Sequence, residues 1–250
     1  MTPADDQAAV SAAPPPFKPL AQKPPSVKVE ARPDGSYIVS SNHPPAEGPK
    51  SIAQLLADRA AAHPERPYLL QREPGHGPWR GVTYGEAKQA ADSIAQWLID
   101  QGLTARDSVM VLSGNGLDHA LIMLGCYTAG VPIAPISPAY SLISTDHAKL
   151  KHCFATVKPK VVYAQDGAMF ARAFETLKAL DPSLRFVVSQ GGGEGTHDIS
   201  ELLAVTPTPA VEASRARLGH ADIAKYLFTS GSTGTPKGVP QTHGMMAGVI

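Results

Sequence analysis

A chain of 250 residues, 43% hydrophobic and 18% charged, holds ample apolar material for a sizeable core and has the balance of an ordinary globular protein. Its 22 basic and 22 acidic side chains cancel to a formal net charge of zero, so nothing steers it toward nucleic acid or an anionic membrane surface. Two cysteines, Cys126 and Cys153, are too few for a disulfide framework and lack metal-ligand spacing, which makes a reducing compartment the expectation and assigns no metal site.

The opening residues, MTPADDQAAVSAAPPP, contain neither the basic nor the apolar region of a secretory signal. Eleven of the 24 prolines fall within the first 50 residues, where fixed φ angles and missing N–H donors predict an extended leader. One element interrupts it. VKVEARPDGSYIVSS alternates Val27, Val29 and Ala31, turns at Pro33-Asp34-Gly35, and resumes from Tyr37 to Val39, the pattern of a β-hairpin. Residues 1–50 are therefore expected to form a proline-rich leader whose hairpin packs on the edge of the domain that follows.

From Ser51 helices and strands alternate. SIAQLLADRAAAH offers Ser51 as N-cap and Ile52, Leu55, Leu56 and Arg59 at helical spacing. TYGEAKQAADSIAQWLIDQG opens on a capping box, Thr83 with Glu86, and closes on Gly102. Next come strand SVMVLS, a helix capped at Asn115 that runs to about Thr128, and strand VPIAPI. The apolar run Ala120–Ile136 contains Thr128, Pro132 and Pro135 and is short for a membrane span, so a buried helix leading into a strand is predicted, in a cytoplasmic protein. Helix TDHAKLKHCFATV, strand KVVYA, helix GAMFARAFETLKAL, strand RFVVS, the loop QGGGEG, short helix DISELL and strand IAKYLFT complete the series. Strands alternating with helices imply βαβ units, an α/β fold whose mostly parallel sheet is flanked by helices and takes ligands at the carboxyl ends of its strands.

Strand IAKYLFT runs into TSGSTGTPKG, a stretch of hydroxyls and glycines that ends in Lys237-Gly238. Three motifs fail here. Counted from Gly231, the P-loop pattern needs glycine where Pro236 stands and Ser or Thr where Gly238 stands. Gly231, Gly234 and Gly238 have the wrong spacing for a dinucleotide fingerprint, and Ser230 replaces the first glycine of a nucleophile elbow around Ser232. Composition alone favours a mobile surface loop. Its place after an apolar strand, with small residues to curl backbone N–H groups around an anion and one lysine as point charge, favours phosphate.

The segment YLFTSGSTGTPKGV, Tyr226 to Val239, is similar along its whole length to the phosphate-loop signature of the adenylate-forming (AMP-binding) superfamily of acyl- and aryl-CoA synthetases, luciferases and peptide-synthetase adenylation domains. TYGEA (Thr83–Ala87) resembles that family's early helix start, and LGCYTAGVPIAPISPAYS (Leu124–Ser141) its Ala-Gly-then-Pro segment. Within the family, the hairpin leader and APISPAYSL look most like feruloyl-CoA synthases.

The resemblance implies the fold of the family's large N-terminal domain and ligation of a carboxylic acid to coenzyme A through an acyl adenylate, with ATP and Mg2+. It gives Thr229, Ser230, Gly231, Ser232, Thr233, Gly234, Thr235 and Lys237 to the nucleotide phosphates, and to Lys237 the catalytic task of offsetting the charge of departing pyrophosphate. Magnesium would bridge phosphate oxygens, with its protein ligand elsewhere. The family's later motifs have no counterpart before Ile250: the acyl-pocket motif, Tyr-Gly-x-Thr-Glu, a ribose-binding aspartate, and a lysine on a mobile C-terminal domain. Residues 51–250 are thus expected to be part of an N-terminal AMP-binding domain, ending inside a helix HGMMAGVI and inactive alone. A fatty or other acyl substrate is the alternative within this chemistry, and a non-catalytic nucleotide-binding module the alternative outside it.

Remaining residues receive plainer expectations. His243 could approach the acyl substrate or simply start a helix. QGGGEG, without lysine or hydroxyls, suits a flexible connector better than a second phosphate site. Cys126 and Cys153 are expected in the core, Trp79 and Trp97 as packing residues, and Asp118 beside His119 suits the electropositive start of a helix.

Overall fold

A computed structural model describes residues 24–43, 48–72, 77–229 and 234–248. The chain divides into two compact units, residues 1–46 and 47–250. In the first, β1 (Val27–Ala31) and β2 (Tyr37–Ser41) pair antiparallel with Val29 opposite Val39. Gly35 turns the corner at φ +84°, and the Asp34 carboxylate accepts from both the N–H and the hydroxyl of Ser36. The predicted hairpin is present, its second strand two residues longer than expected.

The second unit opens with α1 (Ile52–Ala62), where the Ser51 hydroxyl accepts from the Gln54 N–H. α2 (Tyr84–Asp100) starts on the predicted capping box, with Thr83 and Glu86 each taking the other's backbone N–H, and Gly102 follows its end at φ +77°. Between them lies an unforeseen hairpin, β3 (Pro67–Arg72) with β4 (Trp79–Thr83). It overturns the expectation for Trp79, which is 63% exposed on this ribbon, with the Arg72 guanidinium 5.9 Å from its ring. Trp97 is buried as expected and meets the His197 ring edge-on.

α3 (Leu117–Ala129) is capped at Gly116, one residue beyond the predicted Asn115, and without a side-chain cap. Its end is satisfied from outside, because Gln71 of β3 accepts the Leu117 N–H at 3.0 Å. α3 lies hard against α2: a Cβ placed on Gly125 would come within 2.4 Å of the Ile94 side chain.

Seven strands form the central sheet: β5 (Val109–Leu112), β6 (Ile133–Pro135), β7 (Val161–Ala164), β8 (Arg185–Val188), β9 (Thr196–Asp198), β10 (Ile223–Thr229) and β11 (Lys237–Thr242), in spatial order β11-β10-β6-β5-β7-β8-β9. Every pairing is parallel except β10 with β11. β5 and β7 are buried at every position, as unbroken apolar runs between two layers of helices require. One core packs α1, α2 and α3 against the sheet through Ile94, Leu98, Val109, Val111, Ile133 and Tyr163. The other holds Met110, Leu112, Leu150, Cys153, Phe170 and Leu177, under α5 (Ala148–Val157) and α6 (Ala171–Leu180). Both cysteines are fully buried, and burial pushes the Cys153 thiol up to about 12.

Smaller helices complete the unit: α4 (Ala139–Leu142), α7 (Ile199–Leu203), α8 (Pro209–Arg217) and α9 (His243–Ala247). α8 was not expected, though Thr208 caps it and Pro209 occupies its first turn. Its Arg215 reaches Asp92 of α2 and Glu212 one turn back, burying a guanidinium between two helices. α9 is shorter than the predicted HGMMAGVI: it ends at Ala247 with Gly248 as cap, and Val249 and Ile250 lie outside the described residues. Among the described residues no helix is long and apolar enough to cross a membrane, and Ala120–Ile136 is the predicted buried helix and strand, α3 and β6.

Candidate functional site

β10 lies parallel to β6, so its carboxyl end shares an edge with the carboxyl ends of β5, β6, β7 and β8. Ligands of open α/β sheets gather on that edge. Between β5 and β7 it is closed by one side chain, Gln165, whose Oε1 accepts from the Ser113 hydroxyl and the Gly114 N–H, each at 2.9 Å. At β10 it carries the hydroxyl- and glycine-rich turn. Thr229 ends β10, Lys237 begins β11, and the two are direct cross-strand partners. The chain leaves the turn as an antiparallel edge strand, which tolerates Pro240 because an edge needs donors on one side only.

Of the expected phosphate-binding residues, Ser230, Gly231, Ser232 and Thr233 lie outside the described residues. Thr229, Gly234, Thr235 and Lys237 are all exposed at the rim. Gly234 has φ +77° with no heavy atom within 4 Å of a Cβ placed there, so backbone conformation rather than space calls for glycine. Pro236 is buried, and its carbonyl lies 2.9 Å from Nε2 of His152 on α5. At Gly238 a Cβ would sit 3.4 Å from both the Phe228 ring and the Thr156 methyl, so the strand runs close over α5. Phe228 and Tyr226 pack below, onto the core that contains Met110 and Leu112. The arrangement presents one ammonium and a set of small polar residues to solvent above a rigid apolar base. Nothing in the sequence marks His152, which stands 84 residues before Pro236.

His243 lies at the other end of β11. Thr242 pairs with Ile223 at the start of β10, and the His243 N–H donates to the Asp222 carbonyl at 3.0 Å. Six strand residues at roughly 3.3 Å each separate it from the turn by about 20 Å. Its ring is 1% exposed, accepts from the Ile52 N–H at Nδ1, and meets the Tyr127 ring edge-on at 5.7 Å. The structure thus places His243 as a buried helix-start residue and does not bring it to the loop. Burial holds its pKa below 6.5, with Asp222 opposing weakly. In the unfolded chain the ring protonates more readily, so the contribution of His243 to stability is full above pH 6.5 and declines as pH falls below it, by at most about 1.4 kcal/mol per pH unit. Urea unfolding at pH 7.5 and 5.5 is expected to show a larger acid loss in wild type than in His243→Gln; equal losses would contradict the assignment.

QGGGEG carries hydrogen bonds to its neighbours. Gln190 Nε2 donates to Asp166, Gly167 N–H donates to the Gln190 carbonyl, and Gly193 N–H donates to Thr196 Oγ1. Asp118 sits in the first turn of α3 as expected, and His119 Nδ1 contacts the Gly114 carbonyl at 3.0 Å. Among the described residues no group of three or more His, Cys, Asp or Glu is placed to hold a metal ion.

Comparison with known proteins agrees with this architecture. The family model described as AMP-binding enzyme matches residues 56–249. Over 198 residues the chain is 28% identical to the sulfoacetate–CoA ligase of Cupriavidus necator, covering 77% of this chain and 35% of that protein. It is 26% identical over 198 residues to long-chain fatty acid transport protein 2 of Rattus norvegicus, covering 78% of this chain and 30% of that protein. The chain thus spans about a third of the length of these relatives. Among solved structures it is similar to acetoacetyl-CoA synthetase from Streptomyces lividans (TM-score 0.65, 22% identity, 78% of this chain, 30% of that one). It is also similar to a fatty acyl-adenylate ligase from L. pneumophila in complex with acyl adenylate and pyrophosphate (TM-score 0.56, 24% identity, 77% of this chain, 30% of that one).

Proposed function

The chain belongs to the AMP-binding enzyme family, and from that premise we propose that the whole protein is an ATP-dependent ligase joining a carboxylic acid to coenzyme A. A carboxylate oxygen attacks the α-phosphorus of ATP, the bond to the β-phosphate breaks, and pyrophosphate leaves. The coenzyme A thiol then gives up its proton, its sulfur attacks the acyl carbon, and AMP departs. Mg2+ enters with ATP as part of the substrate.

The observation that carries this reading is the turn itself. Thr229 and Lys237 face each other across its mouth at the carboxyl edge of the sheet, and every intervening residue but Pro236 is hydroxylic or glycine. That composition suits a polyphosphate, because hydroxyls and backbone N–H groups supply donors and the lysine supplies a charge to offset the phosphates. We assign Thr229 to Thr235 to the phosphates and Lys237 to pyrophosphate departure.

For the acid we propose an aromatic, ferulate-like substrate, on the likeness of the hairpin leader and APISPAYSL to feruloyl-CoA synthases. The 28% identity to a CoA ligase supports coenzyme A as acceptor. The test is thioester formation, read by mass spectrometry, with aryl-propenoic acids set against fatty acids of several lengths. Preference for the aryl acids is expected. Preference for a fatty acid would move the substrate class, and ATP binding without thioester from any acid would point to a non-catalytic module.

A further inference from the structure

We infer that His152 is a positioning residue for the phosphate loop, donating its Nε2–H to the Pro236 carbonyl and so holding the peptide from which Lys237 projects. The inference rests on the phosphate-loop reading above. Pro236 has no N–H, so its carbonyl is the only backbone group through which that residue can be tethered. A carbonyl can only accept, so at 2.9 Å the ring nitrogen facing it must carry the proton. The neutral ring satisfies this as its Nε2–H tautomer.

The anchor is rigid. His152 stands on α5 between Leu150 and Cys153, side chains that are fully buried in the core beneath the sheet. One turn later Thr156 donates its hydroxyl to the His152 carbonyl at 2.8 Å, and its methyl sits 3.4 Å from where a Cβ on Gly238 would be. One face of α5 therefore grips the exit limb of the loop at two neighbouring points, the Pro236 carbonyl and the backbone of Gly238. With its base fixed, Lys237 loses less conformational freedom when an anion arrives, which is how preorganisation raises affinity.

The experiment is titration of the chain with ATP and, separately, with inorganic pyrophosphate, by calorimetry, in wild type, His152→Leu and His152→Gln. Glutamine carries a donor at nearly the reach of Nε2, and leucine carries none. His152→Leu is expected to weaken binding about fivefold, and His152→Gln to stay within about twofold of wild type, the range of one hydrogen bond. Long-range nitrogen–proton NMR of the unliganded chain is expected to find the neutral ring protonated at Nε2. Equal affinity in wild type and His152→Leu, equal weakening in both variants, or a proton on Nδ1 would each overturn the inference. Failure of the phosphate-loop reading looks different: wild type then binds neither ATP nor pyrophosphate, and the inference falls with it.

Discussion

Replacing Lys237 by alanine is expected to slow acyl-adenylate formation by about a hundredfold in the whole protein while leaving its melting temperature unchanged. The side chain is exposed, and among the described residues its ammonium has no ion-pair partner; the residue serves the fold through its backbone, as the partner of Thr229. Folding therefore has little to lose. Adenylation has much to lose, because pyrophosphate departs carrying several negative charges, and removing one preorganised group that meets such charge costs on the order of 10² to 10³ in rate. Lys237→Arg should recover part of the loss, since it restores charge but not the compact ammonium. Single-turnover formation of acyl adenylate, with the ATP concentration varied, measures both rate and nucleotide demand. If Lys237→Ala leaves both unchanged, the lysine has no part in the reaction.

The second large effect is on stability. Asp92 on α2 receives the Arg215 guanidinium from α8 and, at 2.6 Å, the Lys88 ammonium from one turn earlier on its own helix. Arg215 is 4% exposed and Asp92 8%. Among the described residues, Asp92→Ala would leave the buried guanidinium with Glu212 alone, whose own side chain is 70% exposed. Orphaning one member of a buried pair costs about 3–5 kcal/mol, equivalent to a fall of about 10 °C in melting temperature for a unit of this size. The double replacement Asp92→Leu with Arg215→Met removes both charges and is expected to be close to neutral. Denaturant unfolding of the three proteins tests this; a loss below ~1 kcal/mol in Asp92→Ala would show that the pair is solvated in solution.

What could be read from the sequence was local. Ser51, the Thr83–Glu86 box and Gly102 act on backbone within three or four residues of themselves, and each does what its spacing predicts. The central strands were legible because burial on both faces leaves unbroken apolar runs such as VMVL and VVYA. What escaped depends on distant partners. Asn115 lost the cap of α3 because Gln71, on an unrecognised hairpin, supplies the acceptor. β11, KGVPQT, has almost no strand signal of its own and is a strand because β10 pairs with it. His243 looked close to the loop by residue count, yet β11 carries it to the opposite edge of the sheet. The turn itself was visible from composition and likeness; its contact with His152 was not, because nothing in either segment encodes the other.

The most direct test of the central claim is exchange of labelled pyrophosphate into ATP by the whole protein, with and without a carboxylic acid. Exchange that requires the acid and is lost in Lys237→Ala is the result expected of a ligase that forms an acyl adenylate over this turn. Exchange absent with every acid, from protein that still binds ATP, would contradict it.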